Sequence, residues 1–318
     1  MFSDLFKQIK KYETVILFGH INPDGDCYGA QMALKESLSL KFPDKKIFAV
    51  GSGLPRFFSL LGEMDNISDE VIKSSLAVIL DGNDEKRMED VRCANAKAFI
   101  KIDHHMVTSE FTKGPSVVIE DATSTCEIVF KFIIECQLPI NSKVANALYL
   151  GILTDTGRFT YVNNFNEIFE IVRDICTHDP KPQEIYKRLN LVSENELYFK
   201  AYILNNFKKT NKGILYAIVK NKTLKKFKMN FGKAGSYVNL LSNVSDYGIW
   251  FMAVETENGQ YHFEVRSSGA NIQQVCVKYS GGGHMCAAGF TVDKINKKFI
   301  NQVINDLASV SAGQKEEK

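Results

Sequence analysis

Four short and almost unbroken apolar runs, VILF at 15–18, KIFAV at 46–50, LAVIL at 76–80 and AFIKI at 98–102, constrain this chain more than any other feature. A strand with one face in water alternates apolar and polar residues, whereas a continuously apolar run needs both faces covered. Segments of helical periodicity intervene, notably 28–40, so the pattern predicts an α/β fold whose N-terminal, mostly parallel sheet is flanked by helices. Residues 124–136 and 142–153 also read as helices, and 182–206, rich in Glu, Leu, Lys and Tyr, as a helical connector. Beyond it, ILYAIV at 214–219, IWFMAV at 249–254 and YHFEVR at 261–266 read as strands, the last two joined by the turn-like Glu257-Asn258-Gly259. They predict a smaller C-terminal α/β domain with a mixed sheet. The expected organisation is a catalytic domain over 1–190, a connector over 191–212 and a second domain over 213–318. A length of 318 residues suits two domains, with one large α/β domain as the alternative.

In parallel sheets, ligands bind beyond the carboxyl ends of the strands, and three of the four runs end in chemistry there. The first is followed by GHINPDGD with His20, Asp24 and Asp26, the third by Asp81, and the fourth by Asp103, His104 and His105, while Asp155 follows a helix. An Asp after a strand is commonly only the N-cap of the next helix, and a lone His is more often structural than a ligand. Gathered at one edge, however, these donors would repel one another and lose solvation unless cations neutralised them. Carboxylates and imidazoles without a thiolate point to a hard or borderline metal, Mn²⁺ or Mg²⁺ ahead of zinc. The set is too large for one ion. Two ions about 3.5–4 Å apart, bridged by one carboxylate, would use it and could generate a hydroxide for in-line attack on phosphorus. Asp81, alone after its strand, is the bridging candidate.

The segments GHINPDGD, LDGND, DHH and TDTGRF resemble, in order and spacing, the four motifs of the DHH or RecJ-like phosphoesterases. The resemblance continues through ATSTCEIV at 122–129 and into GGGHMCAAGF at 281–290, which is similar to the glycine-rich signature of the DHH-associated C-terminal domain. It implies one metal held by His20, Asp24 and Asp81, and a second held by Asp26, Asp81, His104 and Asp155. It also implies catalytic roles for His105, facing the substrate phosphate or orienting the water, and for Asp103, fixing an imidazole. The chain departs from the commoner pattern at Ala30, Thr108 and Arg158; Arg158 stands where a small residue is frequent and becomes a candidate substrate contact.

Two further features bear on the substrate. Arg266 with Ser267, at a strand end, offers a charge-assisted partner for phosphate, and Gly281, Gly282, Gly283 and His284 can present backbone amides and an imidazole to an anion, although a glycine triplet alone is usually a turn. Between Lys208 and Lys233 lie nine lysines and no acid. Such a run is usually a solvated face, and otherwise an electrostatic track for a short polyanion, with Phe227, Phe231 or Tyr237 for base stacking.

A net charge of +2 gives no global polyanion signature. Within the family, the two-domain size resembles the nanoRNases, which cleave short oligoribonucleotides to mononucleotides and dephosphorylate 3′-phosphoadenosine 5′-phosphate (pAp). Expected partners are therefore short RNA and nucleotide bisphosphates, with no stable protein partner implied and a homo-oligomer left open. The competing readings are a phosphodiesterase of cyclic di-AMP or linear pApA, a manganese pyrophosphatase, disfavoured by the GGGH type of second domain, and a non-catalytic nucleotide- or RNA-binding module. Seven cysteines without a C-x-x-C pair argue against a disulfide framework, and no apolar run approaches a membrane span, so a reducing cytoplasm is expected. The first residues, MFSDLFKQIKKYE, read as a short amphipathic helix and the tail SAGQKEEK as frayed.

Overall fold

The computed structural model describes residues 1–82, 87–105, 114–162 and 164–311; Thr108 and almost all of the SAGQKEEK tail lie outside them. The chain divides into two compact units, Met1–Leu191 and Val192–Lys318.

The first unit is built on β1 (Thr14–Phe18), β2 (Lys46–Ala49), β3 (Leu76–Leu80), β4 (Ala98–Asp103) and β5 (Ser116–Val118). Every pairing is parallel and the order is β2-β1-β3-β4-β5. Around the sheet lie α1 (Ser3–Lys11), α2 (Gly25–Lys41), α3 (Phe58–Leu61), α4 (Asp69–Lys73), α5 (Thr125–Glu135), α6 (Ser142–Asp155), α7 (Phe165–Cys176) and α8 (Pro182–Asn190). The continuous apolar runs are explained by two cores. Val15, Leu17, Val78, Leu80, Ile100 and Ile102 face one core, shared with α2, α5 and α6. Ile16, Phe18, Ala77 and Ile79 face the other, with Ile72 and Cys93. Because β1 pairs with β2 on one side and β3 on the other, the chain direction across the sheet reverses between β1 and β3. A crevice opens at such a switch point, beyond the carboxyl ends of the strands.

Helix α2 has no solvent face along its first half: residues from Gly25 to Leu34 are all buried. Gly29 makes this packing feasible, since a Cβ there would stand 2.5 Å from the Ala147 carbonyl oxygen of α6. Short β5 was not expected, because PSVV is too brief a run to distinguish from loop; α7 was also missed, although its pattern is strongly amphipathic. The expected single helical stretch over 182–206 is two helices. It breaks at Leu191 and restarts where Ser193 caps the next helix, with Glu196 reaching back to the Ser193 amide.

The second unit holds α9 (Glu194–Asn206), α10 (Asn221–Lys226), α11 (Phe231–Gly235), α12 (Gln273–Lys278) and α13 (Lys297–Ser311) about a sheet of β6 (Lys208–Lys209), β7 (Ile214–Val219), β8 (Ile249–Glu255), β9 (Tyr261–Ser267), β10 (Gly282–His284) and β11 (Ala287–Val292). The order is β10-β11-β9-β8-β7-β6, antiparallel except for β7 beside β8, hence mixed. Phe251 and Phe263 point into a core with α13, while Leu215, Trp250 and Met252 face a second core with Phe199 and Ile203 of α9.

Candidate metal centre

The loops after β1 and β3 are laced together at the switch point: the Ile21 amide donates to the Arg87 carbonyl at 2.7 Å, and the Glu89 amide to Gly19 at 3.1 Å. This brings His20 over Asp81, with Nε2 3.3 Å from Oδ2. Asp81 leaves β3 in a left-handed conformation (φ 57°), which aspartate tolerates better than most residues. Its Oδ1 accepts from the Thr125 hydroxyl at 2.9 Å. The same oxygen lies 3.7 Å from His104 Nε2 and 3.5 Å from His105 Nδ1. His104 Nε2 is also 3.4 Å from Asp155 Oδ2, delivered by the last turn of α6.

The imidazole tautomers follow from their partners. His20 Nδ1 donates to the Ile21 carbonyl at 2.9 Å and His104 Nδ1 to the Ala122 carbonyl at 3.2 Å. A carbonyl only accepts, so both rings carry their Nδ1 proton outward and turn Nε2 toward the carboxylates, the arrangement a metal ligand needs. His105 Nδ1 meets Asp103 Oδ1 at 2.9 Å, and the other oxygen of Asp103 pairs with buried Lys101 at 3.0 Å. Asp26 is fixed by the start of α5, accepting from the Thr125 amide at 2.7 Å and the Cys126 amide at 2.8 Å. Asp24 is an N-cap after all: one of its oxygens accepts from the amides of Asp26 and Cys27, at 2.9 and 3.0 Å. It also lines, with His20, Asp81, Gly82, Arg87, His105 and Asp155, a cavity of about 80 Å³.

Among the described residues, three sets of donor atoms lie within 4.8 Å of one another: His20, Cys27 and Asp81; Asp81, His104 and His105; and Asp26, His104 and Asp155. Asp81 belongs to two. Burial and the charges of Asp81 and Asp24 push the Cys27 thiol far above its ordinary range, which disfavours the thiolate a soft metal would want. The protonation pattern tests whether divalent cations suit the rest. Burial, then the charges of Asp81 and Asp24, push Asp155 up to about 7. Burial and the charges of Asp81 and Asp155 push Asp26 well above the carboxylate range. Burial works against a charged His20, but the Asp81 contact overrides it and raises the ring to about 9. Asp81 is lowered, its burial being outweighed by the three histidines. Crowded carboxylates raise one another's proton affinity and would be offset by positive charge, and the oxygen and imidazole donors fit divalent metal ions.

The other expected site residues lie elsewhere. Arg158 (φ 64°) donates to Asn190 at 2.7 Å and stands over the Tyr186 ring. In the second unit Arg266 is paired with Glu264 at 3.1 Å, and the Ser267 hydroxyl is committed to the Ala270 carbonyl at 2.5 Å. Gly282–His284 is an exposed strand paired with β11 and not a free loop, because Gly281 and Gly283 approach the β11 backbone too closely for any side chain. Phe227 and Tyr237 pack on Phe199, and Phe231 on His262, so the expected stacking residues are half-buried supports of the core. The sequence reading missed Arg87 and Thr125. Arg87 left a signal, a lone arginine shortly after the Asp81 strand end; Thr125 left only its place in ATSTCEIV.

The DHH family, N-terminal domain, matches residues 14–152, and the DHHA1 domain matches residues 211–310. The chain is 32% identical to the bifunctional oligoribonuclease and PAP phosphatase NrnA of Mycoplasma genitalium, covering 96% of both proteins. It is 30% identical to the NrnA of Bacillus subtilis, covering 92% of this chain and 93% of that one. A crystal structure of an exopolyphosphatase-related protein from Bacteroides fragilis has the same fold, with a TM-score of 0.85 at 24% identity over 96% of this chain and 95% of that one.

Proposed function

Because this chain belongs to the DHH family of phosphoesterases and carries the DHHA1 domain, we propose that it hydrolyses short oligoribonucleotides to mononucleotides and pAp to AMP. The observation that carries the reading is Asp81, whose two oxygens face His20 on one side and His104 and His105 on the other. We assign one ion to His20, Asp24 and Asp81, and a second to Asp26, Asp81, His104 and Asp155, with Mn²⁺ as the ion and Mg²⁺ as the alternative. When bound, such ions supply Lewis acidity toward phosphoryl oxygens and a water acidic enough to attack phosphorus at neutral pH.

The protein side of the chemistry is positioning. Thr125 and the amides of α5 hold Asp81 and Asp26 so that the carboxylates need not rearrange when the substrate arrives. Asp103, itself paired with Lys101, accepts the Nδ1 proton of His105 and raises the ring's proton affinity, so that the imidazolium's Nε2–H is the group that donates to the substrate phosphate. Arg87, lining the same cavity, adds a fixed positive charge for the non-bridging oxygens. We also propose as substrate contacts Arg158 and, taken by itself, the second unit's set of Arg266, Ser267, Gly281, Gly282, Gly283 and His284, Ser267 through the turn it ties rather than through its hydroxyl.

The seven cysteines form no disulfide, as suits a reducing cytoplasm, and no helix among the described residues is long and apolar enough to cross a membrane. The test is purified protein with Mn²⁺ on di- to pentaribonucleotides, pAp and cyclic di-AMP side by side, with Asp81→Asn as the inactive control. Release of mononucleotide from the short RNAs and of phosphate from pAp is expected. Turnover of cyclic di-AMP alone, or none at all with bound RNA, would replace the proposal.

A further inference from the structure

The lysine-rich stretch contributes to a second cavity that hydrolysis in the first unit leaves without a role. It measures about 390 Å³ and is lined entirely by residues of the second unit. Tyr216, Ile218, Tyr261, Ile295 and Ile300, buried or half-buried, give it an apolar wall, and Lys208, Lys220 and Lys297 are exposed around it. The three lysines come from separate elements: β6, the residue after β7, and the first residue of α13. Among the described residues none of their ammonium groups has a carboxylate within ion-pairing distance, and no acid lines the cavity. The neighbouring Glu255 is engaged by the Asn221 amide at 2.8 Å.

Three cations without a carboxylate partner around an apolar wall make a positive rim that an anion would complement. The first turn of α13, capped by Asn296 accepting from the Phe299 amide at 2.9 Å, adds its partial positive charge at the same wall. Tyr216 stands between Phe251 of β8, against which it stacks at 5.1 Å, and Lys208 of β6, whose ammonium lies 5.9 Å from the ring centre. Sheet and neighbours thus hold the ring upright. An anion with a flat apolar body fits this combination, and the volume falls in the usual range for one small ligand, about 300–1,000 Å³.

We propose that this cavity binds a nucleoside monophosphate, its base against the isoleucines and the edge of Tyr216 and its phosphate held by Lys220 and Lys297. The proposal is independent of what the first unit hydrolyses. The full chain, freed of metal with EDTA, is irradiated with 8-azidoadenosine 5′-monophosphate and the labelled peptides are mapped, while AMP affinity is measured by calorimetry. Labelling of the segments bearing Tyr216 or Tyr261, suppressed by AMP, is expected. A Lys220→Glu/Lys297→Glu variant should lose affinity about tenfold or more, as expected when charge-assisted contacts to phosphate are removed. Lys222→Glu/Lys228→Glu, equal in net charge and outside the cavity, should keep it. Hydrolysis of bis(p-nitrophenyl) phosphate with Mn²⁺ should be the same in both variants as in wild type, showing that they fold. Labelling confined to other segments, unchanged AMP binding by the Lys220/Lys297 variant, or equal competition by adenosine or inorganic phosphate overturns the proposal.

Discussion

Replacing Asp155 by asparagine should make the metal-free protein more stable while removing most of what Mn²⁺ adds to it. In the folded protein burial, then Asp81 and Asp24, push the Asp155 carboxyl up to about 7, against about 3.9 in an unfolded chain. At about 1.4 kcal/mol per tenfold change in proton affinity, ionising it inside the fold costs up to about 4 kcal/mol. The sign is set by the direction of the displacement. Below about pH 4 the group is protonated in both states and the cost is absent; it grows between about pH 4 and 7 and is complete above. Asparagine keeps the shape without the charge, so the variant should overtake wild type across that window. At pH 8 in EDTA the gain should be roughly 5–15 °C in melting temperature, given about 2–4 °C per kcal/mol for a unit of this size. With Mn²⁺ the order should reverse, because wild type gains the linkage energy of binding and the variant has lost a ligand. Thermal unfolding of both proteins at pH 4, 6 and 8, with EDTA and with Mn²⁺, checks each part. Equal melting temperatures at pH 8 in EDTA, or an equal rise with Mn²⁺, would refute the reasoning.

Thr125→Val should leave the fold intact and lower Mn²⁺ retention and turnover about 10–100-fold, the usual cost of removing a hydrogen bond to a ligand, read by metal analysis and initial rates. Gly29→Ala should destabilise the first unit by at least about 2 kcal/mol, since its Cβ would meet the Ala147 carbonyl at 2.5 Å; an unchanged urea midpoint would contradict the close approach of α2 and α6. Arg87→Ala should raise KM for pAp about tenfold with a smaller change in kcat, while the melting increment from Mn²⁺ stays as in wild type.

What the sequence disclosed and what it withheld divide along a physical line. Apolar runs and the polar residues ending them are local patterns, so the parallel sheet and the gathering of Asp and His side chains at its carboxyl edge were legible. Partners made by the fold were not. Nothing local says that the Thr125 hydroxyl reaches Asp81 across 44 residues, or that the amides starting α5 hold Asp26 from 99 and 100 residues away. The pairing of Arg266 with Glu264, two residues before it on the same face of the strand YHFEVR, was open to the same alternation rule but was not drawn.

Lys101 is the instructive intermediate case. It interrupts an otherwise apolar strand two residues before Asp103, which in a strand puts both side chains on one face, so the pair could have been read from AFIKID alone. The pairing changes the charge balance of the site. Both groups are buried, and burying either alone would be prohibitive, so Asp103 is neutralised by the protein itself and needs no metal. The carboxylates that remain are Asp24, Asp26, Asp81 and Asp155, and Arg87, which lines the same cavity as three of them, is exposed. Asp26 and Asp155, both raised by burial and by the charge of Asp81, belong to the set assigned to the second proposed ion, whose charge would offset that repulsion.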